Sequence, residues 1–585
     1  MTTQPPAADS RAEVEAAARR YVAGVARRYV PALAAAVAVL LVIAFVPTVA
    51  PITVEASGAT GGSSAGPVAG GAGNPTGASG AVNPGGAPSA TQTGVPGTGG
   101  TQASGPQGPG SVGPLPQATG TTISGSTCKA GARQLAVSKY SVLCQATFTG
   151  NNGGTTAPGV TRTTINVSFR TSHSGESGAV EAASPSLKAS QEAYFQDLQT
   201  YTNYFNTKYE LYGRKVNLKL FKGQGDWVAE YQGQNLAGAQ ADADTAKGLN
   251  AFADVSSEAV GTTPAYAQYL AENKIITLGG VSGSQHFFEQ YRPYAYSFGT
   301  SVSNYAQWAG NTACQRMVGL PAIFAGDATY KVTNRVFGLV YPNNPDFQLV
   351  GKDLASRLTA CGGKPAKTYE FTLNLGTLAS DSANAMAQMR SAGVTTVICA
   401  CDTVSPQFFA QAADGQQYFP EWMAVASADS FGQGYSQTQW NHAISNEGTF
   451  KPQHDTEAYR VFKLAKPKAE PAEGFYAAAY LAAVNMFNAF QSAGPNLTAA
   501  SLERGFFQQP ASAPGADFGP WGFGPKQYTP VAGAQVGWYN PNAVSGQNGA
   551  KGAFLTCSGA DGAYRPWEPM SGYGPAHSQL HCFGR

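Results

Sequence analysis

The chain has 585 residues, only 12% of them charged, with 37 Lys and Arg against 35 Asp and Glu and a formal net charge of +2. So even a balance leaves no basic face of the kind that displaces counterions from nucleic acid, which excludes nucleic acid as a partner. Composition is uneven along the chain, so the folded mass is expected to be smaller than the length suggests.

Residues 1–28 read as a short cytoplasmic tail. From Tyr29 to Val54 no residue is charged, and "YVPALAAAVAVLLVIAFVPTVAPITV" is long enough to cross a hydrocarbon core of roughly 30 Å as a helix. Arg19, Arg20, Arg27 and Arg28 crowd its N-terminal side, which by the positive-inside rule leaves the tail in the cytoplasm and everything after Val54 outside. The prediction is a single-pass membrane anchor over 29–54. A cleaved signal peptide is the competing reading, because Thr48-Val49-Ala50 and Val54-Glu55-Ala56 loosely fit small-residue cleavage sites. No cysteine precedes Cys128, so a lipid-modified cysteine is not available as a tether.

Residues 55–127 are expected to be a disordered linker. From Ala56 to Thr127 there is no charge and no aromatic, and such a segment cannot bury enough apolar surface to offset its ordering entropy. Its r.m.s. span is on the order of 45 Å, suited to carrying a domain away from a membrane. The "GSSAG" within it has no strand before it and no helix after it, so it is not a hydrolase elbow.

Residues 128–162 form a disulfide-containing lead-in. Eight cysteines in an exported chain suit disulfides. The pairings read here are Cys128 with Cys144, Cys314 with Cys361, and Cys557 with Cys582, which leaves Cys399 and Cys401 as a Cys-Ala-Cys pair of undetermined state. The glycine-rich "FTGNNGGTTAPGV" precedes a strand, whereas phosphate loops follow one and open a helix, so it marks a domain boundary.

Beyond it, "TINVSF" and "KVNLKLF" read as strands around an amphipathic helix, and "GLNAFADVSS", "NKIITLGGVS", "RVFGLVYP", "VTTVICACD" and "EWMAVASADS" as further strands with polar or glycine-rich exits. Helix candidates lie between them at 304–317, 346–360, 380–392 and 405–414. Strands alternating with helices imply α/β architecture with parallel sheets covered on both faces. Ligands bind such sheets outside the carboxyl ends of the strands. Here the exits "RTSHSGES", "SSEAVGTT", "GGVSGS", "CDTVSP" and "ASADS" are rich in hydroxyls, which bind a compact polar solute without demanding one protonation state.

Catalytic constellations are missing. "CGGKP" lacks the spacing and hydroxyl of a phosphate loop, and "GQGDWV" has Val228 where a dinucleotide fingerprint needs its third glycine. His173 has no nucleophile to pair with, and His577, His581 and Cys582 read as a disulfide-pinned tail before a metal site. The sequence predicts no enzyme, no cofactor and no metal.

The element order from about Thr163 to Pro541 resembles the type 1 periplasmic solute-binding proteins, specifically the branched-chain amino acid branch of ABC importer receptors. The Ser174-Gly175 exit, the run "VSSEAVGTTPAYAQYLAENKIITLGGVSGSQHF", and the helix "EGFYAAAYLAAVNMFNAFQSAG" with its Tyr-Ala-Ala-x-Tyr pattern carry the likeness. The Asn-Gly-Gly turn before the first strand is similar to that of actinobacterial members. The resemblance implies two doubly wound parallel sheets joined by a three-segment hinge: lobe 1 at 163–300 and 430–520, lobe 2 at 301–429 and 521–545, and a C-terminal tail at 546–585. Crossings are expected near 297–303, 427–434 and 521–531.

By the same resemblance, ligand contacts fall at Ser174, Ser256, Ser257, Ser282 and Ser284 on lobe 1, and at Asp402, Thr403, Ser427 and Asp429 on lobe 2. The chain departs from amino acid binders in placing Asp402-Thr403 where an aromatic is usual. If Asp402 and Asp429 both line the cleft, they favour a cationic or amine-bearing ligand. The same residue types at strand exits also cap the following helix. The implied function is capture of a small polar solute and its delivery to ABC permease and ATPase subunits; a tethered sensor or envelope scaffold of the same fold is the alternative.

Overall fold

The computed structural model describes residues 117–172, 175, 185–256, 262–402, 405–425, 429–447, 453–472, 476–513, 515–531, 533–545, 549–557 and 568–569. The predicted anchor at 29–54 and most of the linker lie outside them. No helix among the described residues is long and apolar enough to cross a membrane.

In the lead-in, β1 (Gly120–Thr121) pairs antiparallel with β2 (Thr127–Cys128), and the predicted Cys128–Cys144 bond is formed. Strand β1 and Thr127 of β2 fall inside the segment, 55–127, that composition assigned to the linker. They are held by partners from beyond the disulfide: Ala146 N–H donates to Ala118 O at 2.9 Å and Thr147 N–H to Thr121 O at 2.8 Å.

Lobe 1 follows with β3 (Thr164–Ser172), α1 (Pro185–Phe205), β4 (Lys215–Gly223), α2 (Trp227–Tyr231), α3 (Leu236–Gly248), β5 (Ala253–Asp254), α4 (Pro264–Glu272), β6 (Ile276–Thr277) and α5 (Gln285–Gln290). Its four strands are parallel in the order β4-β3-β5-β6. Strand β3 is buried on both faces, and its alternation sorts two chemistries. Ile165, Val167 and Phe169 enter the large apolar core, while Asn166, Ser168, Arg170 and Ser172 are buried on the other side.

The chain crosses into lobe 2 through residues 297–301 and builds α6 (Val302–Arg316), β7 (Phe337–Pro342), α7 (Pro345–Ala360), β8 (Lys367–Phe371), α8 (Leu375–Ser391), β9 (Thr396–Cys399), α9 (Ser405–Gly415), β10 (Glu421–Val425), α10 (Asp429–Gly434), α11 (Gln437–Trp440) and β11 (Ala443–Glu447). Returning to lobe 1, it forms α12 (Glu457–Ala465), α13 (Tyr476–Ala493) and α14 (Ala499–Phe507), then re-enters lobe 2 as β12 (Gly533–Val544), β13 (Lys551–Thr556) and β14 (Glu568–Pro569).

Two expectations need correction. The second crossing follows Glu447 rather than lying at 427–434, because α10, α11 and β11 intervene, and β11 pairs with β10 over Trp422–Val425. Lobe 2 is also not purely parallel: β7 to β11 run parallel, but β12 and β13 add an antiparallel hairpin at the edge, with β14 antiparallel on β12. Parallel neighbours need a crossover of about a dozen residues or more, and β12 ends at Val544 while β13 begins at Lys551. Lys551–Thr556, in the segment read as a tail, is thereby a strand of this sheet.

Helix α13 is apolar nearly all round, as a helix enclosed on every side must be. It packs on α1 through aromatic edges, Phe205 on Phe487 at 5.4 Å and Tyr201 on Tyr480 at 5.3 Å. Each such buried ring contributes on the order of 2–3 kcal/mol. Lobe 2 shows the two-sided burial of a parallel sheet: along β9, Val397 and Cys399 face one core and Ile398 the other. Cys314–Cys361 ties α6 to α7. Cys399 and Cys401 are bonded to each other, and Cys557 is bonded while Cys582 lies outside the described residues.

Asp197 on α1 is buried, and its carboxylate accepts from Ala472 N–H at 2.9 Å. Burial raises its pKa from 3.8 to about 6, against the opposing pull of that N–H and of Lys466. A carboxyl raised in the folded state contributes most to stability below its unfolded value, and that contribution is lost as the pH climbs through about 6. Asp197→Asn should therefore stabilise the protein at pH 7.5 by up to about 3 kcal/mol in urea unfolding and give no advantage at pH 4. Equal effects at both pH values would refute this account.

Candidate functional site

The exits of the two sheets meet where α5 begins. Gln285 N–H donates to Ser303 Oγ at 3.0 Å, and Val302 N–H to Gly283 O at 3.2 Å. Asp346, in the first turn of α7, lies beside Ser284; burial raises its carboxyl's pKa, with Ser284 and His286 opposing. The exit of β6 in lobe 1 thus abuts the exit of β7 in lobe 2.

Beneath the lobe 1 exits lies a buried ion network. Arg170, with a fully enclosed side chain, forms a two-pronged bond with Glu230, Nη1 to Oε1 at 2.9 Å and Nη2 to Oε2 at 3.0 Å, and reaches Asp242 Oδ2 at 3.1 Å. Its guanidinium lies 4.0 Å from the centroid of the Tyr266 ring. Burial alone would lower its pKa, yet Glu230, then Tyr266 and Asp242, raise it above the ordinary arginine value. Asp254 is held alongside by Ser168 Oγ at 2.6 Å, Ser256 N–H at 2.9 Å and Tyr266 OH at 3.1 Å. Burial raises its pKa despite those bonds.

The "GQGDWV" turn belongs to this network rather than to a nucleotide. Asp242 accepts from Gln224 N–H at 2.7 Å and Gly225 N–H at 2.9 Å. A Cβ on Gly225 would fall 2.2 Å from Glu230 Oε1 and 2.7 Å from Arg170 Nη1, so only glycine lets the turn approach the ions.

Several residues expected to touch ligand have structural partners. Ser256 is buried, and its Oγ accepts from Arg170 N–H at 2.8 Å, joining β3 to the β5 exit. Ser284 caps α5, accepting from Phe287 N–H at 3.1 Å. Asp402 accepts from Ser405 N–H at 3.0 Å and from its hydroxyl, a cap for α9. Ser282 is half-buried on the β6 exit. Ser174, Ser257, Thr403 and Ser427 lie outside the described residues, as do His173, His577 and His581. Asp429 opens α10, with its side chain outside the description. Among the described residues no cluster of three or more His, Cys, Asp or Glu suits a metal ion.

Sequence reasoning missed Arg170, Glu230 and Asp242. The available signal was a charge inside an otherwise uncharged strand, "TINVSFRTS", and two aspartates in the alanine-rich "LAGAQADADTAKG". Arg170 and Asp242 are buried, whereas Asp244 of the same helix is exposed, and buried charges need partners.

A family model described as periplasmic binding protein matches residues 176–539. No curated protein matches significantly. Among solved structures, a periplasmic binding protein from Burkholderia mallei is 13% identical, covers 72% of this chain and 98% of its own, and has a TM-score of 0.49. A leucine-, isoleucine-, valine-, threonine- and alanine-binding protein from Brucella ovis is 13% identical over 67% of this chain and 93% of its own, with a TM-score of 0.47. An ABC transporter substrate-binding protein from Desulfitobacterium hafniense, solved with Leu, is 14% identical over 67% and 99%, with a TM-score of 0.44.

Arg170→Ala should destabilise the protein by about 3–5 kcal/mol, since it strands two buried carboxylates. The triple change Arg170→Met, Glu230→Gln, Asp242→Asn should cost less than Arg170→Ala alone. Urea unfolding of the two variants decides it, and a triple variant weaker than the single one would show that the charges themselves supply the stability.

Proposed function

The chain belongs to the periplasmic binding protein family, and from that premise we propose that it is an extracytoplasmic receptor which closes its two lobes on a small polar solute and delivers it to ABC permease and ATPase subunits. The solute is an amino acid or a related amine, amide or acid. The observation that carries this reading is the abutment of the exits, with Gln285 bonded to Ser303, Val302 to Gly283, and Asp346 of lobe 2 beside Ser284 of lobe 1. In this reading residues 29–54 anchor the chain in the membrane and the linker carries the receptor away from it, as in the actinobacterial type.

Ligand contact is assigned to Ser174, Ser257 and Ser282 on lobe 1 and to Thr403, Ser427 and Asp429 on lobe 2. Ser256, Ser284 and Asp402 keep the exits in place instead. Arg170 is committed to Glu230 and Asp242, so a ligand carboxylate is met by hydroxyls and backbone N–H groups rather than by that guanidinium. The loss of Asp402 to a helix cap leaves Asp429 as the acid that answers a ligand ammonium. Closure follows from contacts better made in the closed form; a shift from 1:99 to 99:1 needs about 5.5 kcal/mol of difference.

A thermal-shift screen of the whole chain against amino acids, amines, amides and small organic acids should find a stabilising solute, worth about 2.7 kcal/mol at a concentration one hundred times its Kd. Silence across all four classes defeats the proposal. Ser282→Ala should weaken that solute about tenfold while leaving the melting of the empty protein unchanged; a matching drop in the empty protein would make Ser282 structural.

A further inference from the structure

The lead-in lies ahead of the family-matched region, which starts at residue 176, yet it is built into the base of the hinge. Tyr140 is buried. Its hydroxyl donates to Gly519 O at 3.0 Å and accepts from Phe518 N–H at 2.6 Å, and its ring sits 4.7 Å from that of Trp521. Trp521 bridges Val531, the last described residue before β12 enters lobe 2. Val531 O and Tyr528 O in turn accept from Asn304 Nδ2 at 3.4 Å and Ser297 N–H at 3.3 Å, so the first and third crossings are joined at the far end of the same chain of contacts.

The neighbouring residue reaches the second crossing. Lys139 N–H donates to Glu457 Oε2 at 2.7 Å, and Glu457, the first residue of α12, donates its own N–H to Asp517 Oδ2 at 2.7 Å. The lead-in is itself fixed to lobe 1: Asn488 of α13 accepts from Val142 N–H at 3.1 Å and donates to Tyr140 O at 2.9 Å.

We infer that this stretch of the lead-in is a strap that fixes the lobe 1 ends of the second and third crossings, with Tyr140 as a positioning residue for hinge closure. The inference rests on the hinge-closure reading above. A hinge turns about the points where its segments are held, so an attachment at Phe518–Trp521 and Glu457 sets how freely lobe 2 swings without touching the solute. It also makes lobe 1 the lobe to which the linker leads, with lobe 2 the moving jaw.

Hydrogen exchange read by mass spectrometry on the full chain, without any solute, tests this. Tyr140→Phe keeps the ring and removes the hydroxyl bonds; exchange over residues 515–522 should rise about fivefold. Tyr140→Ala should extend the rise to 297–304 and 528–531, while β3 and β4 keep wild-type protection. A change confined to residues 117–147, no change at the crossings, or a uniform rise across lobe 1 would each overturn the inference. If Tyr140→Ala does not fold, Trp521→Phe takes its place with the same expected pattern at 528–531. Because no solute is used, failure here leaves the receptor proposal standing, and an empty solute screen leaves this measurement intact.

Discussion

A guanidinium with no access to water must be neutralised from within the protein, and Arg170 imposes that demand on one whole face of lobe 1. Glu230 comes from α2, Asp242 from α3, and the Tyr266 ring from α4, so three helices converge on one side chain of β3. The helix layer on this side is otherwise poor in grip, since Ala239, Ala243 and Ala246 supply small contacts around Tyr266 and Leu270. Burial of such small groups contributes little per residue. Directional bonds to Arg170 set the register that bulkier side chains would set elsewhere. The network also reaches the exits: the Thr263 hydroxyl caps α4 by accepting from Tyr266 N–H at 3.1 Å and donates its own proton to Glu230.

Lobe 2 has an ion pair of the same construction in a different place. Arg335 grips Glu421 with Nε to Oε1 at 2.7 Å and Nη2 to Oε2 at 2.9 Å, and Thr396 Oγ1 adds a bond to Oε1 at 3.0 Å. Glu421 and Thr396 begin β10 and β9, so this pair fastens the strand starts, the edge away from the exits. Lobe 1 therefore carries its rigid ionic cluster under the exits and lobe 2 carries its own at the opposite end. The exit of β9 in lobe 2 is shaped instead by local devices, the Cys399–Cys401 bond and the Asp402 cap. Two extended residues span about 6.6 Å, and the Cα atoms of this pair are 5.1 Å apart, so the chain bends where it leaves the sheet.

Hydroxyl-rich exits are chemically ambiguous, and the structure shows how the ambiguity is divided. A helix that follows a strand needs an acceptor for its first N–H groups, and Thr263, Ser284, Ser301 and Asn344 each supply one for a helix of this fold. In the proposed reading a solute draws on the same residue types at neighbouring positions. The lead-in adds a third use of polar groups, attaching a segment outside the family core to the helix that is most buried within it.

Much of the fold was legible in the residues alone. Strands β3, β7, β9 and β10 are largely apolar runs and β4 alternates apolar with polar residues, patterns that can be read without partners; α13 announces itself by its all-round apolarity, and two disulfides join the cysteines paired from the sequence. Local chemistry decides such elements, so a local reading finds them. Strand β11, "AISNE", escaped because it is short and polar, and its strand character comes from β10 on one side and β12 on the other. That omission displaced the second crossing. The roles of Ser256, Ser284 and Asp402 were undecided by residue type, and only the tertiary arrangement assigned their hydroxyl and carboxylate oxygens to particular N–H groups. Arg170 meets Glu230 sixty residues away and Asp242 seventy-two away. No periodicity records a pairing at that distance, because it exists only once the sheet has brought the three elements together.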